Sequence, residues 1–203
     1  MAPTRDSLGC FITAHLARVK CIVSKGNPRI TFFYLLFFIR RNFIMDHKLY
    51  LRRCIEIADE AVASGNNPFG ALLVDSKGDI IVESGNIEIT EKDCTGHAET
   101  TVMRKATKLY SKEFLWDCTL YTTAEPCCMC TGAIYWGNVG RVVFGITEKQ
   151  LLELTGSHEK NPTFDVPCRE VLAKGQKNIE VIGPINDVDL QEEIVKIHRT
   201  FWK

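Results

Sequence analysis

A chain of 203 residues, 45% hydrophobic and 25% charged, can bury a core of domain size, which excludes disorder as its default state. Its nine cysteines are odd in number and unevenly spaced, and no clean secretory signal precedes them. That pattern argues against a disulfide framework and for a reducing, cytoplasmic setting in which clustered cysteines serve metals or chemistry. The formal charge of zero hides an asymmetry, because residues 1–45 hold seven Lys/Arg and a single acid, leaving 18 basic and 24 acidic residues, a net of −6, for residues 46–203.

The chain therefore divides into a basic, apolar N-terminal extension, 1–45, and a domain, 46–203, beginning next to the second methionine, Met45. Within the extension, "ITFFYLLFFI" (30–39) is flanked by Arg29, Arg40 and Arg41. Spanning a bilayer takes roughly 20 apolar residues, so no membrane span is expected. The run lies too far from the start for a secretory signal and leads into arginines rather than small residues. Its acid-poor composition fits a start that is not part of the native protein, an organellar targeting segment, or association with a membrane.

From Asp46, "DHKLYLRRCIEIADEAVASG" sets Leu51, Cys54, Ile55, Ala58, Ala61 and Val62 at helical intervals and stops at Gly65. "GALLVD" and "DIIVESG" read as strands joined by a turn at Ser76, Lys77 and Gly78. A helix from about His97 to Leu109, a strand "CTLYTT", a helix from about Cys127 and a strand "RVVFG" follow. "TGSHEKNPTFD" (155–165) reads as a long loop, "VPCREVLAK" as a helix, "IEVIG" as a strand and "DLQEEIVKIHRTFW" as a closing helix. The order specifies an α/β fold, a three-layer α/β/α sandwich around a central mixed sheet of about five strands.

Two stretches carry the chemistry: "GHAE" (96–99) and "EPCCMC" (125–130). Cys127 and Cys130 are three apart at a helix start, so their sulfurs share a face, whereas Cys128 lies about 100° around and is read as packing. His97 also opens a helix, and both helix N-termini favour thiolates and a metal-bound hydroxide. One His and two Cys make a zinc site of three protein ligands; a structural site would need a fourth, so the open position suits water, whose pKa the metal lowers towards about 7. Glu99, two residues past His97, can reach that side as the proton-transferring catalytic residue. A CxxC alone also fits a redox pair or buried helix cysteines, and a lone histidine is commonly a satisfied polar residue. Cys10, Cys21, Cys54, Cys118 and Cys168 read as extension or core residues.

With H-x-E and P-C-x-x-C in this helix–strand–helix context, residues 46–203 resemble the zinc-dependent cytidine and deoxycytidylate deaminase-like superfamily. "NPFGALLV", "GHAETTVMRKA", "CTLYTTAEPCCMCTGAIYWGNVGRVVFG" and "IHRTFW" look most like its guanine deaminase and nucleoside deaminase branch. The resemblance implies zinc held by His97, Cys127 and Cys130, proton transfer by Glu99, and substrate contacts from Asn86, Phe69 and Gly70. It also implies a homodimer and a C-terminal segment that closes over an active site, here Phe201 and Trp202, although both aromatics could instead dock the last helix on the core. Where relatives commonly have D-P-T-A-H, this chain reads "DCTGH", so Cys94 and Gly96 are expected to loosen the loop into His97. The implied activity is hydrolytic deamination of a small aminated base or nucleoside, guanine first, with adenine-, cytosine- and triazine-type rings as alternatives. A tRNA-specific adenosine deaminase is disfavoured because a domain at −6 is a poor partner for a polyanion, and a non-catalytic subunit is disfavoured because Glu99 is intact.

Overall fold

The structure, a computed structural model, describes residues 46–156 and 162–202. The readings made of the extension 1–45, and of the middle of the 155–165 loop, lie outside these residues. In chain order the elements are α1 (His47–Ala63), β1 (Gly70–Val74), β2 (Ile80–Gly85), α2 (Glu88–Glu91), α3 (Ala98–Leu109), α4 (Lys112–Trp116) and β3 (Thr119–Ala124). There follow α5 (Cys128–Gly137), β4 (Arg141–Ile146), α6 (Glu148–Thr155), α7 (Cys168–Leu172), β5 (Glu180–Ile182) and α8 (Val188–Phe201).

The strands form one mixed sheet in the order β2-β1-β3-β4-β5. β1 is antiparallel to both β2 and β3, whereas β3–β4 and β4–β5 are parallel. The hairpin turn is set by Asp75, whose Oδ1 accepts from the N–H of Lys77 (2.8 Å) and of Asp79 (3.0 Å), while Gly78 takes a φ of 94°.

Strand alternation sorts the core into two halves. Ala71, Leu73, Leu120 and Val142 pack with Ala98, Val102, Met103 and Ala106 of α3 and Ile134 of α5. Leu72, Val74, Tyr121 and Val143 pack with Tyr50, Leu51, Cys54 and Ile57 of α1 and Leu190 of α8. The sheet is thus covered on both faces, which is the expected sandwich. A side chain at Gly70 would collide with the carbonyl oxygen of Cys54 and come within 2.8 Å of the Ala58 nitrogen. The glycine therefore lets α1 lie directly on the start of β1. Among the described residues no helix is long and apolar enough to cross a membrane.

Three elements escaped the sequence reading. α2 and α4 are single turns. α6 is only eight residues long and buries Glu148, Leu151 and Thr155, a single apolar residue of large size among them, although its capping box, Thr147 with Gln150, is present in the sequence.

Candidate metal and catalytic site

His97 and Cys127 are the N-cap residues of α3 and α5, both extended in backbone and neither capping its own helix with its side chain. A position that commonly holds a Ser or Asp cap here holds a donor turned elsewhere. The two side chains meet. His97 Nδ1 lies 3.6 Å from Cys127 Sγ and 3.6 Å from Cys130 Sγ, and all three donor atoms fall within 4.8 Å of one another. A tetrahedral zinc with Zn–S of about 2.3 Å and Zn–N of about 2.0–2.1 Å would set each S···N separation at about 3.6 Å, so the three donors fit the ion. Cys128, half-buried, is not part of the group.

The protons held among these donors are what a cation would displace. Hydrogen bonding from Cys130, then from His97, holds the Cys127 thiol far down, to about 4, while Cys130 is pushed well up by Cys127 and by burial. His97 is raised to about 9, first by its hydrogen bond to Cys127. Three donors competing for protons in a small space are the condition under which a metal binds with proton release.

Around them lies a supporting set. Glu99 is buried, and burial followed by the charge of Cys127 raises its pKa. The Thr122 hydroxyl donates to Glu99 Oε1 (3.0 Å), the Cys130 thiol donates to Glu99 Oε2 (3.4 Å), and the Thr100 hydroxyl donates to Cys130 Sγ (3.2 Å). The second ring nitrogen of His97 faces Glu88 Oε2 at 4.0 Å, a carboxylate placed to orient the imidazole. Glu125 is buried and consumed structurally: one oxygen accepts from Cys168 N–H (2.9 Å) and the other from Glu148 N–H (3.1 Å), tying the starts of α6 and α7 to the residue before Pro126. Glu148 is itself buried, and desolvation with the charges of Cys127, Glu99 and Glu125 pushes it up to about 8. Thr122, Thr100, Glu88, Glu125 and Glu148 carry no sequence signature.

Asn86 is buried and uses Oδ1 to accept from Glu88 N–H (3.0 Å), leaving its amide NH2 as the group it can offer a ring. Phe69 is half-buried beside Gly70, its carbonyl accepting from Asn86 N–H (2.9 Å). Trp202 caps α8, is buried, and donates through Nε1 to His198 Nδ1 (3.1 Å). The loop into His97 is not loosened. Gly96 N–H donates to Asp93 O (2.8 Å), Gly96 O accepts from Ile87 N–H (2.8 Å), and a Cβ at Gly96 would come within 2.9 Å of the Glu88 backbone. Glycine permits this closeness, and Cys94 points to solvent.

The family model described as "Cytidine and deoxycytidylate deaminase zinc-binding region" matches residues 44–146, half of the chain. The chain belongs to this deaminase family. A probable cytosine deaminase of Schizosaccharomyces pombe is 36% identical over 153 residues, 75% of this chain and 90% of that protein. The guanine deaminase of Bacillus subtilis is 46% identical over 101 residues, 49% of this chain and 64% of that protein. A tRNA-specific adenosine deaminase of Haemophilus influenzae is 43% identical over 103 residues, 51% of this chain and 59% of that protein. A solved structure of guanine deaminase from Nitrosomonas europaea superposes with a TM-score of 0.60 at 22% identity, covering 74% of this chain and 84% of that one, a likeness of fold. The deaminase is thus a C–N hydrolase with zinc as its cofactor, and the sandwich is the cytidine deaminase-like fold.

Proposed function

We propose that the protein is a hydrolytic deaminase of a small aminated nucleobase, guanine first, with His97, Cys127 and Cys130 holding the zinc and Glu99 carrying protons. The observation that carries this reading is the convergence of His97 Nδ1 and two sulfurs, 3.6 Å from each, beside a buried carboxylate fixed by Thr122. Zinc, when bound there, supplies Lewis-acid activation of a water molecule. Glu99 sits where it can take a proton on one oxygen and return it to the ring nitrogen and the departing amine. Thr122 keeps the carboxylate from rotating away, and Thr100 shares the negative charge of Cys130. The Asn86 amide NH2 and the face of Phe69 are placed to hold the ring, and the backbone of Gly70 lies beside them.

Guanine is favoured because the matched segment is 46% identical to a guanine deaminase. Cytosine is the second reading, supported by a likeness that spans 90% of the cytosine deaminase relative. The acidic balance of residues 46–203 disfavours tRNA, despite the 43% identity to a tRNA-specific enzyme. Ammonia release from guanine, cytosine, adenine, their nucleosides and adenosine-containing tRNA tests the reading. Turnover of guanine or cytosine by the zinc-loaded protein is expected; turnover of tRNA alone refutes it. A homodimer is part of the proposal, and sedimentation equilibrium yielding a monomer at micromolar concentration refutes that part.

A further inference from the structure

Among the described residues only two buried side-chain polar atoms lack a hydrogen-bond partner, His198 Nε2 and Asn67 Oδ1. Both adjoin the turn that presents Phe69. Asn67 lies two residues before Phe69 and spends its amide NH2 on Glu88 Oε2 (3.1 Å), the same carboxylate oxygen that faces His97. The His198 ring stands 5.2 Å from the Phe69 ring, centroid to centroid.

The His198 side chain is fully buried. Its Nδ1 accepts from Trp202 Nε1–H (3.1 Å), so the neutral ring carries its proton on Nε2. Burial holds its pKa down to about 4, which keeps it neutral. The result is a fixed N–H donor with no acceptor among the described residues, a group that costs stability in a finished core. Its position along α8 places it at the catalytic end of the sheet. Ile194, one turn earlier, packs with Ala124 and Ile146, the last residues of β3 and β4, and Phe69 packs against the same cluster. Ala124 is three residues before Cys127. One further turn carries the chain over Phe69.

We propose that His198 is a specificity-determining residue whose Nε2–H donates to a ring carbonyl of the bound base, so that the site selects amino-oxo rings such as guanine or cytosine over rings with an amine or hydrogen at that position. This deepens the proposed function and rests on it. It also explains why the cytosine and guanine readings converge, since both bases pair an amine to be lost with a carbonyl to be recognised. An imidazole held in one tautomer by an indole cannot switch from donor to acceptor, so a carbonyl is accepted and an amine is refused.

The test compares the full chain with His198→Phe, which keeps the ring and removes the donor, and with His198→Gln, which restores an N–H. Guanine is followed as ammonia release and 2,6-diaminopurine, which has an amine in place of the carbonyl, as an inhibitor of that reaction. In His198→Phe, kcat/KM for guanine is expected to fall about tenfold, mostly through KM, while 2,6-diaminopurine, whose amine no longer faces a donor, inhibits as well as before or better. Zinc content should not change and Tm should move little, because the variant removes the unpaired His198 Nε2–H but also takes from Trp202 Nε1–H its His198 acceptor. His198→Gln should recover part of the loss. Equal losses for both ligands, unchanged guanine kinetics, or a lowered Tm with normal turnover per folded molecule would each overturn the inference, the second showing that a buried water or nothing meets the N–H. If the parent releases ammonia from neither guanine nor cytosine, the proposed function fails. Calorimetric binding of guanine then decides the inference separately: weaker binding by His198→Phe keeps it, and equal or absent binding overturns it.

Discussion

Thr122→Val removes one hydroxyl from the centre of the site at nearly constant volume. Thr122 is fully buried on β3, and its Oγ1 donates to Glu99 Oε1 at 3.0 Å while touching no metal ligand. A hydrogen bond to an ionised partner contributes about 1.5–3 kcal/mol, and each 1.36 kcal/mol is tenfold in rate, so losing it costs roughly 10- to 150-fold if the whole effect falls on catalysis. Part of it will fall on stability instead, because Glu99 is buried and one oxygen is left without its donor. For a domain of this size 1 kcal/mol moves Tm by about 2–4 °C, so a drop of several degrees is expected alongside a 10- to 100-fold loss in kcat/KM. Zinc should stay at about one per chain. Thr122→Ser keeps the hydroxyl and should stay near the parent in activity. A Val variant within twofold of parent kcat/KM, with normal zinc and Tm, would refute the claim that Thr122 holds Glu99 in a working position.

Cys127→Ala should lose zinc by metal analysis, whereas Cys128→Ala should retain it, since only Cys127 joins His97 and Cys130. Glu99→Gln preserves the side-chain shape and should lower turnover by roughly 10²- to 10⁴-fold with zinc retained, the range for general acid–base catalysis; turnover near the parent rate would remove Glu99 from that role. Trp202→Ala empties a buried site and strips His198 of its donor, so a loss of about 3–5 kcal/mol is expected, read as a Tm drop of roughly 6–20 °C. A lid would instead lose turnover at unchanged Tm.

What the sequence made legible follows from how each signal is carried. α1 was readable because Leu51, Cys54, Ala58 and Ala61 recur on one buried stripe, and its start because Asp46 accepts from Lys48 and Leu49 N–H. The ligands were readable because their partners are close in sequence: Cys127 and Cys130 share a turn, and Glu99 shares one with His97. Thr122 was not, because one threonine in "YTTAE" is the mate of Glu99 only through the meeting of β3 with α3. Nothing in the sequence around Glu125 and Glu148 marks them as buried. Their burial depends on three segments, ending β3 and opening α6 and α7, that come together in space. Gly96 was misjudged for a related reason. Glycine in isolation reads as slack, but against the Glu88 backbone it is the only side chain that leaves room.

The electrostatics of the assembled site argue for the metal as a structural partner of the charge cluster as well as a catalyst. Glu99, Glu125 and Glu148 are all buried, and the charges of Cys127, Glu99, Glu125 and His97 all reach Glu148. Burying acids at such density is costly unless each is paired. Glu125 is paired by two backbone N–H groups and Glu99 by Thr122. Glu148 is instead pushed towards its protonated form by burial, with the Cys127, Glu99 and Glu125 charges adding to it. A divalent ion held by His97, Cys127 and Cys130 would oppose that accumulated negative charge, drawing the raised acids back down and releasing protons as it binds. Zinc uptake should therefore be accompanied by measurable acidification in a weakly buffered solution, and a variant that loses Cys127 should show none.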